Sequence, residues 1–339
     1  MRKSFLPLLP LLLISCGGGG ASSVNPDEYF SSLDAAMKQG LKNDAIGFTC
    51  DNGHVKLSMK NSEGDMNLEI RPFVFDVRVN GIHASKIADV KASILGETSK
   101  HSESILSASG SNIPSSLKDL TGEIRFTPRV YVDASTAYFD LADAGTIRMA
   151  LNTLLKESYP DYSGLVARSY KSLEGYEEVE KYMPVDTKLE EFFTTLNEEL
   201  AKSYKNSPSA FMFTQNEGVS TISLQTASWS TVRALLDRGD TIEASSIDLS
   251  SFFDEAEKKA SLDRCAINVE YASSGLKSLG LDIAFTFKEE VELTESYTPC
   301  GTWQLSGDIG VVYGENAAPK TITDRVKKQC LQTELVLPF

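Results

Sequence analysis

Met66-Asn67-Leu68-Glu69-Ile70-Arg71-Pro72-Phe73-Val74-Phe75-Asp76-Val77-Arg78-Val79 is the stretch whose reading decides the fold. Apolar residues occupy the even positions Met66, Leu68 and Ile70, then the odd positions Phe73, Phe75, Val77 and Val79. Alternation with period two is the signature of a strand with one apolar face. The phase changes at Pro72, which has no N–H to give to a ladder and belongs at an edge or a bulge. One long, bent, amphipathic strand is therefore expected, and such a strand suits a strongly curved sheet.

The same pattern recurs on both sides. His54–Met59 precedes it across the turn Asn61-Ser62-Glu63-Gly64-Asp65, and Ala88–Glu97 and Gly122–Leu141 follow. The serine-rich stretch 101–120 reads partly as loop. Near the C-terminus, Ile267, Val269 and Tyr271 alternate, as do Leu281, Ile283, Phe285 and Phe287, and then Trp303, Leu305, Ile309, Val311 and Tyr313 around Gly307. These are long antiparallel strands with one apolar face. Ala210–Leu224 reads as a hairpin with its turn at Asn216-Glu217-Gly218.

Helices fall at the start and in the middle. Asn25-Pro26-Asp27-Glu28 is a helix start, with a capping Asn, Pro in the first turn and acids at the positive end of the dipole. Phe30, Leu33, Met37 and Leu41 then mark an amphipathic helix. Thr146–Ser158, a segment opened by a capping box at Thr187-Lys188-Leu189-Glu190 and continuing through Leu200, and two short segments at Trp229–Asp237 and Phe252–Leu262 complete the helical set. No linker divides 25–339. The expected fold is a single α+β domain, a curved antiparallel β half-barrel wrapped over central helices.

Ahead of this domain lies a different kind of sequence. Arg2 and Lys3 precede an apolar run from Phe5 to Ile14, which at ten residues is too short to span a bilayer, where roughly 20 are needed. Residues 1–15 thus read as a secretion signal. Its end, Leu13-Ile14-Ser15-Cys16, resembles the lipobox of bacterial lipoproteins. The resemblance implies that Cys16 is acylated and becomes the first residue of the mature chain, with residues 16–24 as lipidated cysteine and Gly/Ser tether. The alternative is an ordinary signal peptide cleaved near Gly20, with Cys16 incidental. Each buried methylene contributes ~0.8 kcal/mol, so two or more acyl chains anchor stably where one is marginal. The expected location is the bacterial cell envelope, on the extracytoplasmic face of the cell membrane or outer membrane.

Charge and chemistry narrow the functions. The 339 residues hold 33 basic and 47 acidic side chains, a net −14, and removal of the signal takes two basic residues and no acid. Nucleic acid needs clustered Lys and Arg, so it is not an expected partner. With three histidines in the whole chain, and no G-x-S-x-G, H-E-x-x-H, P-loop or G-x-G-x-x-G motif, neither an enzyme nor a metal or cofactor site is expected. Asp140–Gly145 lacks calcium-loop spacing, and His54 beside Asp51 reads as a turn histidine. Four cysteines remain after Cys16, an even number in an exported chain, which admits three disulfide connectivities; Cys300–Cys330 with Cys50–Cys265 is the preferred one.

The order of elements, closing on Leu279–Phe287, Gly301–Gly314 and Glu315-Asn316-Ala317-Ala318-Pro319, resembles the LolA/LppX/LprG-type lipoprotein superfamily. That resemblance implies an open half-barrel whose hydrophobic concavity holds acyl chains. The four mature cysteines and the tail after Pro319 depart from it. The candidate ligand-binding residues are Phe73, Phe75, Val77, Phe285, Phe287 and Trp303, on alternating positions of long strands. The expected protein is a monomeric, membrane-anchored carrier of a lipid or other hydrophobic ligand. The alternative is a structural or interaction lipoprotein of the cell surface whose sheet is filled by its own helices.

Overall fold

The computed structural model describes residues 25–61, 64–95, 105–109, 124–125, 129–133, 136–140, 169–172, 184–225, 228–229, 254, 256–289, 298–324, 327 and 331–332. Helix α1 (Pro26–Gly40) begins as expected: the Asn25 side chain accepts the Asp27 N–H at 3.2 Å and its amide donates to Glu28 at 3.1 Å. Strands β1 (Ala45–Asn61) and β2 (Gly64–Asn80) follow, then β3 (Lys91–Leu95), β4 (Ile105–Ser109), β5 (Ile124–Arg125), β6 (Arg129–Asp133), β7 (Thr136–Asp140) and β8 (Ser169–Ser172). Helix α2 (Val185–Asn206) leads to β9 (Phe211–Asn216) and β10 (Val219–Leu224), and the chain ends with β11 (Ala260–Ala272), β12 (Gly275–Phe287), β13 (Thr298–Pro299), β14 (Thr302–Tyr313) and β15 (Leu331–Gln332).

All fifteen described strands join one sheet, ordered β15-β8-β7-β6-β3-β2-β1-β14-β12-β11-β10-β9, with β13 beside β1 and β4–β5 beside β2. Among the described strands every pairing is antiparallel except β15 with β8. The path ends at β9 and at β15, so the described sheet is unclosed. Mostly antiparallel sheet with two described helices is the architecture.

The bend predicted at Pro72 is real and doubled. Between Gly53↔Phe73 and Val55↔Ile70, β2 carries one extra residue at Arg71-Pro72; between Cys50↔Phe75 and Gly53↔Phe73, β1 carries one at Asp51-Asn52. Each bulge shifts its own strand's phase, so the apolar residues stay on one face. The hairpin turn of β9–β10 has positive φ at both Glu217 (49°) and Gly218 (81°), the twist-matched two-residue turn.

Several expectations are corrected. Strands β1 and β2 run further than the apolar alternation marks, into the polar segments Asp51–Gly53 and Gly64–Asp65, because cross-strand pairing holds them. His54 therefore lies in a strand, not a turn, and its Nε2 meets Glu69 Oε1 at 2.8 Å rather than Asp51. Helix α2 starts at Val185, not at a Thr187 capping box. The Asp186 N–H donates to the Ile82 carbonyl at 3.0 Å, so a tertiary partner satisfies this helix end. The helix expected through Leu262 stops by Lys259, since pairing with β12 claims Ala260 onward for β11. The strand expected over Ala88–Glu97 begins only at Lys91, preceded by a 3-10 turn at Ile87–Asp89, and its last two positions lie outside the described residues. The expected helix at 146–158 lies outside the described residues.

The Cys50–Cys265 link is not formed. Strands β14 and β12 intervene between β1 and β11, and three neighbour spacings of ~4.8 Å place the two strands about 14 Å apart. A disulfide requires Cα atoms within roughly 7 Å. Burial raises the pKa of the Cys50 thiol, and to a lesser burial that of Cys300. Cys300 is not in a disulfide either, and Cys330 lies outside the described residues.

Candidate ligand-binding face of the sheet

The register places the apolar positions of neighbouring strands on one face. Val79↔Ile46↔Tyr313, Val77↔Phe48↔Val311 and Phe75↔Cys50↔Ile309↔Leu279↔Val269 form successive rows, and Leu305↔Ile283↔Cys265 and Trp303↔Phe285↔Leu262 continue them. No described strand carries a charged residue at an inward position of this face. The opposite face carries polar side chains that bond to one another, alongside buried Val74, Leu95 and Tyr138. Thr286 donates to Asp263 at 2.6 Å and meets the Thr302 hydroxyl at 2.9 Å, Arg264 pairs with Asp282 at 2.7 Å, and Ser58 donates to Asn67 at 2.7 Å.

Among the described residues, the helices cover only part of the apolar face. Phe30, Leu33, Ala36 and Met37 of α1, with Phe193, Leu196 and Leu200 of α2, pack on Ile222, Ile267, Val269, Tyr271, Leu276, Leu279 and Val311. Tyr29, Phe30, Tyr204, Phe211 and Phe213 join this core through ring contacts at 5.2–6.4 Å. The core reaches β1 and β2 at Ile46, Phe48 and Val79. Beyond it, Val55, Leu57, Leu68, Phe75, Val77 and Val130 are half-buried, and Leu305 and Ile94 are 37% and 43% exposed.

The six candidate residues separate into two groups. Phe285 and Phe287 are buried, and with Trp303 and Trp229 they form an aromatic cluster with centroids 5.2–6.0 Å apart. The Trp303 Nε1–H donates to the Ser58 carbonyl at 2.8 Å. Phe75 and Val77 lie on the same face but nearer its other end, half-buried on β2; the side chain of Phe73 is outside the described set, though its backbone pairs with Gly53. Leu305, Val55, Leu57, Leu68 and Ile94 are the positions that sequence reasoning passed over. Their alternation was visible, but which part of the face the helices leave open was not.

The polar side of β2–β3–β6–β7 is covered by the chain after β14. The Lys320 N–H donates to the buried Ser93 hydroxyl at 3.0 Å, Lys320 Nζ lies 3.5 Å from buried Asp76, and Arg78 holds the same carboxylate at 2.7 Å. Lys327 pairs with Asp133 at 2.8 Å and stands 5.5 Å from the Tyr138 ring centroid. The extra tail is thus a strap leading to β15. Cys16 lies outside the described residues. Among the described residues no three His, Cys, Asp or Glu side chains group as metal ligands, and no helix is long and apolar enough to cross a membrane.

No protein-family model and no curated protein matches the chain. A solved structure described as lipid–protein interactions in lipovitellin is similar over 86% of this chain and 27% of that one, with 9% identity and a TM-score of 0.21. This chain spans about 27% of that chain's length, and a likeness at that score carries no argument.

Proposed function

We propose that the protein is a lipoprotein anchored through Cys16 to the extracytoplasmic face of a bacterial membrane, and that its sheet binds the acyl chain of a lipid. In this reading the sheet bends into a half-barrel over α1 and α2, aided by the paired bulges of β1 and β2. The protein acts as a non-enzymatic carrier or sensor at the end of its Gly/Ser tether.

One observation carries the reading: exposed Ile94 and Leu305, with half-buried Val55, Leu57, Leu68 and Val77, share a face with the buried core and extend beyond it. Apolar surface left in water costs roughly 25 cal/mol per Å², and an acyl chain laid on this face removes that cost. Among the described residues this face carries no charge, whereas its reverse holds ion pairs and hydrogen-bonded polar side chains, a division that suits a hydrocarbon ligand.

The test uses the full chain with Cys16→Ser, which lacks the covalent anchor. Solvent extraction of the purified protein is expected to release a lipid, and Leu305→Asn in the same background is expected to lower the amount several-fold with the fold intact. A protein that yields no lipid and takes up none from vesicles contradicts the carrier role and leaves the surface-interaction one.

A further inference from the structure

The sheet ends at β9. Strand β10 covers one side of β9, and among the described residues nothing pairs with the other. Met212 is 54% exposed, and Thr214, Gln215 and Asn216 are exposed beside it. Edge strands are normally blunted by charge, proline or a bulge, because their unpaired backbone groups invite further pairing. Strand β9 has none of these. Phe211-Met212-Phe213-Thr214-Gln215-Asn216 holds no charge and no proline, and its register with β10 is unbroken.

The hairpin decides which backbone groups this edge offers. Asn216 and Val219 pair across the two-residue turn, and the Gln225 N–H donates to the Ala210 carbonyl at 2.9 Å. Ala210, Met212, Thr214 and Asn216 therefore turn their backbone groups to β10, while Phe211, Phe213 and Gln215 turn theirs outward. The Phe211 N–H already donates to the Pro208 carbonyl. What remains at the edge is the Phe211 carbonyl with both backbone groups of Phe213 and of Gln215.

This set matches itself about a two-fold axis at Phe213. With two copies of β9 antiparallel, Phe213 of one copy exchanges both hydrogen bonds with Phe213 of the other, and each Gln215 N–H donates to the Phe211 carbonyl opposite. Phe213 is half-buried, with its ring 5.2 Å from that of Tyr29 and 5.5 Å from that of Tyr204. About this axis it meets its own equivalent in an aromatic cross-strand pair, and each exposed Met212 lies beside a Thr214. An axis at Thr214 makes as many hydrogen bonds, but it sets Phe213 against Gln215 and Met212 against Asn216, apolar side chains against amides. The uncharged strand brings no like charges together.

We propose that a second copy of this chain docks on the β9 edge, antiparallel and centred on Phe213, so that two sheets continue as one. The contact is isologous, each copy giving the same strand. A seam spanning only 211–215 is smaller than a standard interface, so the dimer is weak and depends on concentration. The sequence predicts a monomer, and this reading departs from it without resting on lipid binding.

Sedimentation equilibrium of the Cys16→Ser chain, from roughly 1 μM to about 200 μM, covers the range of a weak dimer. The apparent mass is expected to rise toward twice that of the chain. Gln215→Pro removes an outward N–H and no bond to β10, a place where edge strands accept proline. It should weaken association roughly tenfold or more with the fold intact. A mixture of Met212→Cys and Thr214→Cys chains under mild oxidation should give a disulfide between positions 212 and 214, found by peptide mapping. Residues opposite each other there have Cα atoms about 4.5 Å apart, within disulfide reach. Met212→Cys alone should give no link at 212, because its equivalent lies two positions along the seam. A mass that stays that of one chain at every concentration overturns the proposal and leaves the edge to a strand of another protein. Association unchanged by Gln215→Pro, or a link between two copies of position 212 in place of the 212-to-214 one, overturns the seam even where a dimer forms. Should Gln215→Pro not fold, the cross-linking pair decides by itself.

Discussion

Tyr313 shows how much a single side chain fixes here. Its ring lies against α1 and the β11–β12 turn at once: a Cβ built on Gly40 would stand 2.5 Å from its Cζ, and one on Gly275 would stand 2.5 Å from its Cε2. Gly275 also has φ of +144°, a conformation few other residues adopt. Gly275→Ala should therefore destabilise by roughly 2–3 kcal/mol, from overpacking and backbone strain together, as read by urea unfolding. Burial pushes the Tyr313 phenol up to about 12 from its ordinary 10, with the Leu276 backbone pulling partly the other way. The folded state then keeps the proton that the unfolded state loses, so this stabilisation is complete below pH 10 and falls away between pH 10 and about 12. The loss is of the order of 2 kcal/mol, and Tyr313→Phe should flatten that part of the curve. Phe285 and Leu305 make the complementary contrast. Phe285 is closed in by three rings, so Phe285→Ala should cost about 3–5 kcal/mol, whereas Leu305→Asn at an exposed position should stay within about 1 kcal/mol. Alternation alone gave these two residues the same role. What separates them is the cover supplied by Trp229 and the helical turn at Ala256, which is tertiary and leaves no trace in the strand's own sequence.

At the scale of elements, what the sequence announced was governed by local chemistry. Pro72 removes a ladder donor, and β2 bulges there. Asn25 caps α1, and Glu217-Gly218 makes the hairpin turn. Asn25→Ala should accordingly cost ~1 kcal/mol through the lost cap, checked by thermal unfolding. What was missed depends on partners distant in sequence. The start of α2 is fixed by the Ile82 carbonyl rather than by Thr187, and the start of β11 by its pairing with β12. The Cys50–Cys265 pairing was missed for the same reason, since even number and exported location say nothing about strand order. With β14 and β12 between them, Cys50 and Cys265 should react with iodoacetamide only after denaturation, and peptide mapping under non-reducing conditions should find no link between them. A Cys50–Cys265 peptide would contradict the strand order itself.

At the scale of the molecule, one sheet runs from β9 to β15 and is faced differently along its width. The helices fill the apolar side at β9–β12, and the strap after β14 seals the polar side at β2–β7. Among the described residues, the apolar side over β1, β2 and β3 is left half-open. The strap covers a buried charge, with Asp76 held between Arg78 and Lys320. The proposed N-terminal anchor is read from residues 1–24 alone, which lie outside the described residues. Mass spectrometry of the mature N-terminus should find diacylglycerol on Cys16, and an unmodified end beginning after Cys16 would remove the anchor without touching the fold. The central claim is that the half-open face holds an acyl chain, and native mass spectrometry of the Cys16→Ser chain tests it most directly. The account predicts a near-stoichiometric lipid adduct, which weakens in Cys16→Ser/Leu305→Asn. A bare protein mass that acquires no adduct after incubation with phospholipid vesicles would contradict it.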